Sequence, residues 1–156
     1  MTLQRDLREF IGLLNSLGVE YLIVGGHAVA YHGHPRFTGD IDFLVRPSAA
    51  NAGRVVTALN KFGFSDLGLT EDDFVRRGSV VQLGCPPNRI DLLTLISGVD
   101  FDAAWIGSVA GELDGLPVRF LGFDELLKNK QAAGRDQDLA DVKKLKAIAA
   151  RRGRSL

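Results

Sequence analysis

The segment Val24 to Val45 reads VGGHAVAYHGHPRFTGDIDFLV and sets two carboxylates, Asp40 and Asp42, inside an otherwise apolar run. Such a run predicts a strand, and in a strand side chains i and i+2 leave the same face. Asp40 and Asp42 therefore project together, about 7 Å apart at the backbone, while Ile41 and Phe43 face the other way. Two like charges against a core are costly unless something compensates them: a bound cation, or a neighbouring arginine such as Arg36 or Arg46. A pair of hard oxygen donors suits Mg²⁺, which prefers octahedral oxygen ligands and keeps positions for substrate phosphates. Asp91 in RIDLL is a third candidate, a lone carboxylate in a second apolar strand, with Arg89 on the same face as its alternative partner.

Upstream, Gly25-Gly26 stands between a predicted strand and a predicted helix. A glycine pair there permits close backbone approach and offers free N–H groups to an anion. Arg36 and Thr38 precede the carboxylates, and Thr38 is expected on the same strand and face as Asp40 and Asp42. Neither the dinucleotide-binding G-x-G-x-x-G nor the Walker A G-x-x-x-x-G-K-[ST] pattern occurs. His27, His32 and His34 form no i, i+4 pair and have no cysteine set beside them, which argues against a zinc site. Ser residues lack a His and Asp frame, and Cys85 between a glycine and two prolines reads as a loop thiol.

The elements that must position these residues follow from periodicity. Leu3, Leu7, Phe10, Ile11 and Leu14 predict an amphipathic helix over 3–17 closed by Gly18. Strands are expected over Tyr21–Val24 and Thr38–Val45, with a short helix over Ala28–His32 between them. A helix starts at Pro47-Ser48, runs to Phe62 and stops at Gly63. Thr70 is read as the N-cap of a helical turn at Glu71 to Asp73. Val80–Leu83 and Arg89–Leu95 read as an antiparallel hairpin joined by CPPN at 85–88, and Val118–Leu121 follows the Asp114-Gly115 turn. Helices over Asp124–Ala133 and Asp136–Arg151 are divided by Gly134, with Asp138 and Asp141 capping or pairing along the last one. Phe101, Trp105 and Ile106 are expected to pack the core. The count gives an α/β (α+β) domain with a central mixed sheet of about five strands and a helical C-terminal third. One domain over 1–156 is expected, its core at about 19–122 and its C-terminal helices at about 124–152.

With 156 residues and 46% hydrophobic content the chain can bury a core as one domain. The 19 basic and 19 acidic residues cancel, which gives no global grip on nucleic acid or an anionic membrane. The charge is unevenly placed: Lys143, Lys144, Lys146, Arg151, Arg152 and Arg154 follow Asp141 with no acidic residue, so the body is acidic and the tail basic. That tail is either a grip on RNA phosphates or a solvated end. A lone cysteine excludes an intramolecular disulfide, and no segment approaches the roughly 20 apolar residues of a membrane span, so a cytoplasmic protein is expected.

Gly25-Gly26, then 13 residues, then Asp-Ile-Asp, then a later strand with a single Asp, resembles the signature of the DNA polymerase β-like nucleotidyltransferase superfamily. The finer pattern, with R-F-T before the carboxylates and LLKNKQAAGRDQDLADVKKL at 126–145, is similar to the small bacterial branch that contains AbiEii-type minimal nucleotidyltransferases. The resemblance covers about residues 20 to 145. It implies the nucleotidyltransferase fold, with Gly25 and Gly26 holding a triphosphate and Asp40, Asp42 and Asp91 binding a two-metal site of Mg²⁺ or Mn²⁺. Asp91 would complete the site as metal ligand or proton acceptor. Lys130 matches the family's lysine and would contact phosphate or form an internal ion pair; Arg36 is a further phosphate candidate. The implied function is transfer of a nucleoside monophosphate from NTP to a hydroxyl of tRNA, a protein or a small molecule, with a toxin-antitoxin role or a homodimer in view. The alternative is a non-catalytic nucleotide- or partner-binding module of the same fold.

Overall fold

The structure, a computed structural model, describes residues 4–153. Its centre is a mixed six-stranded sheet in the order β3-β4-β2-β1-β6-β5. The strands are β1 (Tyr21–Val24), β2 (Asp40–Val45), β3 (Val80–Leu83), β4 (Arg89–Leu93), β5 (Val109–Leu113) and β6 (Leu116–Phe120). β2 runs parallel to β4 and β1 parallel to β6, whereas β1–β2, β3–β4 and β5–β6 pair antiparallel. The helices are α1 (Arg5–Ser16), α2 (Gly25–Tyr31), α3 (Ala49–Phe62), α4 (Asp72–Val75), α5 (Phe101–Ile106), α6 (Phe123–Ala133) and α7 (Asp136–Arg151).

Alternation along the strands separates two apolar layers. Ile41, Phe43 and Val45 join Ile90 and Leu92 on one face, where Phe10, Ile11 and Leu14 of α1 and Val55 and Leu59 of α3 cover them. Leu22, Val24 and Leu44 point to the other face and meet Val29 of α2, Phe101 of α5, Leu126 of α6 and Leu145 of α7. Asp40, Asp42 and Asp91 belong by parity to this second face, where the helices leave a cleft.

Several boundaries differ from the sequence reading for local reasons. The sheet has six strands rather than five, because Val109–Leu113 pairs with β6 across the Asp114-Gly115 turn, whose residues take φ of 51° and 78°. Only Leu113 of β5 is buried, so its sequence VAGEL carries almost no hydrophobic alternation. β4 ends at Leu93 rather than Leu95, and β6 runs Leu116–Phe120 rather than Val118–Leu121. α5 is too short at 6 residues to show a helical stripe, and Ile106 at its end is 85% exposed rather than in the core. Thr70 does not cap α4; instead its N–H donates to the Asp73 carboxylate at 2.8 Å. Ser48 does cap α3, accepting from Asn51 N–H at 3.3 Å, and Gly63 closes that helix with φ of 108°. Leu3 and Arg154 lie outside the described residues. No helix among the described residues is long and apolar enough to cross a membrane.

Candidate active site

Parallel pairing of β2 and β4 sets Asp40 opposite Arg89 and Asp42 opposite Asp91. β1 adds Val24 beside Asp42, and β3 adds Gln82 beside Asp91, so one row across the sheet reads Val24, Asp42, Asp91, Gln82. The strand pattern i, i+2 supplies Asp40 on the same face. Asp40, Asp42 and Asp91 each offer a carboxylate oxygen, and these oxygens lie within 4.8 Å of one another. They lie in a cleft of about 720 Å³ that Gly25, Gly26, Arg36, Thr38, Lys130 and Arg135 also line.

The glycine pair is explained by what lies against it. Gly25 has φ of 66°, and a Cβ there would overlap the Asp42 carboxylate; a Cβ on Gly26 would stand 3.0 Å from Thr38 Cβ. Without side chains, the first turn of α2 can lie directly on the acidic row. This is why α2 begins at Gly25 rather than at Ala28. Thr38 sits just before β2 rather than within it, and its hydroxyl donates to Asp40 Oδ1 at 2.9 Å, holding that carboxylate from the loop side.

Charge in the row is only partly balanced. Arg89 Nε donates to Asp91 Oδ1 at 2.8 Å, and its Nη2 reaches Asp91 Oδ2 at 3.0 Å and Asp40 Oδ2 at 2.9 Å. Arg89 is thus the arginine partner that the sequence offered for Asp91, and it serves Asp40 as well. Arg46 is engaged elsewhere, with Glu20 and Asp102. Burial alone would raise the Asp40 carboxyl, but the Thr38 hydroxyl, a shared hydrogen bond with Asp91 and the Arg89 charge together hold it below its ordinary value. Asp42 has no such support. Burial, then the charges of Asp40 and Asp91, push its carboxyl up to about 8. A row of all-oxygen donors with one member forced toward protonation fits a hard divalent cation, which would replace that proton.

The wall facing the acidic row comes from α6, α7 and the loop before β2. Lys130 is buried, and its Nζ lies 3.2 Å from both Asp138 Oδ1 and Asp141 Oδ2. Arg36 grips Asp141 with one edge of its guanidinium, Nε to Oδ1 and Nη2 to Oδ2, each at 3.0 Å. Both cations line the cleft, yet each is committed to carboxylates. Arg135 Nε donates to Asp138 Oδ2 at 2.7 Å, and the Arg135 backbone N–H reaches the same oxygen at 3.2 Å, which caps α7. Asp138 therefore caps α7 as expected but also reaches Lys130 on α6, while Asp141 ties α7 to the distant loop at Arg36. Burial disfavours the charge on both carboxylates, but their cationic partners hold both below the ordinary range.

The sequence reading did not single out Arg135 or the reach of Asp141. The spacing of Lys130, Arg135, Asp138 and Asp141 carried that signal, since Gly134 folds α6 back against α7 and brings the two helices' charges together. Of the histidines, His32 is buried with Nε2 2.8 Å from Leu121 O. His27 Nδ1 is buried without a hydrogen-bond partner among the described residues, and burial lowers its pKa against the opposing pull of Asp40. Among the described residues the acidic row is the one cluster suited to a metal ion.

No protein-family model matches the chain, and no curated protein matches it. Among solved structures it is similar to an antigenic nucleotidyltransferase-like protein from Paracoccidioides brasiliensis. The likeness covers 93% of this chain and 75% of that one, with a TM-score of 0.55 and 17% sequence identity. At that identity the likeness is one of fold: the chain has the α+β architecture of a nucleotidyltransferase-like protein.

Proposed function

We propose that the protein is a metal-dependent nucleotidyltransferase that moves a nucleoside monophosphate from NTP to an acceptor hydroxyl. The observation that carries this reading is the convergence of Asp40, Asp42 and Asp91 within 4.8 Å, directly against the glycine-opened turn of α2. Asp40, Asp42 and Asp91 would hold Mg²⁺ or Mn²⁺, in the two-ion arrangement used by this reaction class. Bound there, the metal supplies charge neutralisation at the transferring phosphorus and a more acidic acceptor hydroxyl.

The chain's own groups do the rest. Gly25 and Gly26 let the triphosphate approach the backbone, and the cationic side of the cleft offsets its charge. The acceptor oxygen forms a bond to the α-phosphorus as the bond to pyrophosphate breaks, and Asp91 takes the hydroxyl proton. Thr38 and Arg89 keep the carboxylates oriented. The acceptor is the hydroxyl of an RNA end such as tRNA, of a protein or of a small molecule, and the AbiEii-like branch with a toxin-antitoxin partner rests on the sequence resemblance.

A second reading, a non-catalytic nucleotide- or partner-binding module, is favoured by Arg89, whose guanidinium already pairs with both Asp40 and Asp91. The two separate in a thermal-shift titration with Mn²⁺ and ATP, run on wild type and the Asp40→Asn/Asp42→Asn variant. The enzyme reading expects a metal-dependent rise with ATP in wild type that the folded variant loses, together with its transferase activity. An equal response in both would remove the acidic row from the reaction.

A further inference from the structure

The segment KNKQAAGRDQD at 128–138 divides its cations between two duties. Arg36, Lys130 and Arg135 stand against two carboxylates, Asp138 and Asp141, so the cluster carries one uncompensated positive charge. Lys130 and Asp141 cannot present that charge to a ligand: their side chains are 6% and 0% exposed and are paired with one another. Arg36 is only 23% exposed, spends the Nε–Nη2 edge of its guanidinium on Asp141 and turns Nη1 to Phe37 O at 3.4 Å. Arg135 is different. Its side chain is 79% exposed, it lines the cleft together with Gly25, Gly26 and the acidic row, and its Nε is anchored on Asp138. Its Nη2 also reaches Asp138 Oδ1 at 3.4 Å, so one edge of the guanidinium is held while Nη1 stays open; a guanidinium aimed by one edge and exposed at its tip is suited to recognition of phosphate oxygens.

Resting on the nucleotidyltransferase reading, we infer that Arg135 grips the terminal phosphates of the nucleotide, and that Lys130 is a positioning residue that holds Asp138 and Asp141 in place behind it. Asp138 aims Arg135 across the cleft, and Asp141 pins Arg36 and with it the loop that delivers Thr38 and Asp40. The nucleotide's terminal phosphates thus meet the side chain that caps the start of α7, while its α-phosphate lies at the carboxylates.

Calorimetric titration with ATP and with AMP, at fixed Mg²⁺, tests this in wild type, Arg135→Gln, Arg135→Lys and Lys130→Met, with Tm and Mn²⁺ affinity measured for each. Arg135→Gln is expected to weaken ATP binding about tenfold, the scale of one charge-assisted contact, while AMP and Mn²⁺ affinity stay near wild type. Arg135→Lys should recover part of the ATP preference. Lys130→Met should lower Tm yet keep the ATP-to-AMP ratio. The inference is overturned if Arg135→Gln keeps the wild-type ratio, or if Lys130→Met abolishes that ratio with Tm unchanged. Wild-type protein that neither prefers ATP over AMP nor binds Mn²⁺ would instead overturn the nucleotidyltransferase reading, and this inference with it.

Discussion

At Asp42, burial and the charges of Asp40 and Asp91 push the carboxyl up to about 8, so near neutrality the folded chain holds a proton that the unfolded chain releases. The sign follows from linkage. Stability tied to this group is full below the unfolded value of about 3.9 and declines as pH rises toward 8. Asp42→Asn is therefore expected to raise the Tm of the metal-free protein at pH 8.5, with the gain vanishing near pH 4. After allowance for solvent screening the gain is about 2 kcal/mol, or roughly 4–8 °C at this chain length. Scanning calorimetry at the two pH values checks it, and a lower Tm at pH 8.5 would contradict it. Gly25 makes a second residue-level case. Gly25→Ala and Gly18→Ala meet similar backbone strain, at φ of 66° and 69°, but only the first drives a Cβ into a carboxylate. Gly18→Ala should cost about 1 kcal/mol, and Gly25→Ala at least about twice that, with loss of metal binding. Equal costs in urea unfolding would mean that the α2 turn does not rest on Asp42.

At the scale of elements, α6 and α7 are fastened to the loop before β2 by charge as well as by apolar contact. Asp141→Ala would strip Arg36 of its carboxylate and leave Lys130 with Asp138 alone, which should cost about 3–5 kcal/mol, read as a Tm fall of roughly 6–20 °C. Because Asp138 and Asp141 titrate below their ordinary values, their contribution is present above the unfolded value of about 3.9 and lost as pH falls through the folded ones. The Asp141→Ala penalty should therefore shrink in acid, and a penalty that stays constant down to pH 2.5 would contradict the ion-pair account. Elements with strong periodicity and punctuation, α1, α3, β2 and the β3–β4 hairpin, were readable from sequence because their apolar stripes and stop residues agree. β5 and α5 were not, since VAGEL is a largely exposed edge strand and FDAAWI is shorter than two helical turns.

For the whole molecule, the order β3-β4-β2-β1-β6-β5 places the acidic row on the adjacent parallel strands β2 and β4, with glycine-opened α2 on one side and the α6–α7 pair over it. Asp40 and Asp42 were legible in sequence as a pair because strand parity alone puts them on one face. That Asp91 lies directly beside Asp42 is a fact of register, which no local pattern encodes. The same limit applies to Arg135 and Asp141, whose partners lie on other elements. The fold matches a nucleotidyltransferase-like structure, and the proposed reaction makes a demand that the fold does not. The most direct measurement is transfer of label from NTP carrying ³²P at either the α or the γ position, with Mn²⁺ and a mixture of tRNA and cell-extract proteins, beside Asp40→Asn/Asp42→Asn. The account predicts that wild type transfers the α-label alone, that pyrophosphate is released in step, and that the variant transfers nothing. Transfer of the γ-label, or the same α-label transfer by the variant, would contradict it.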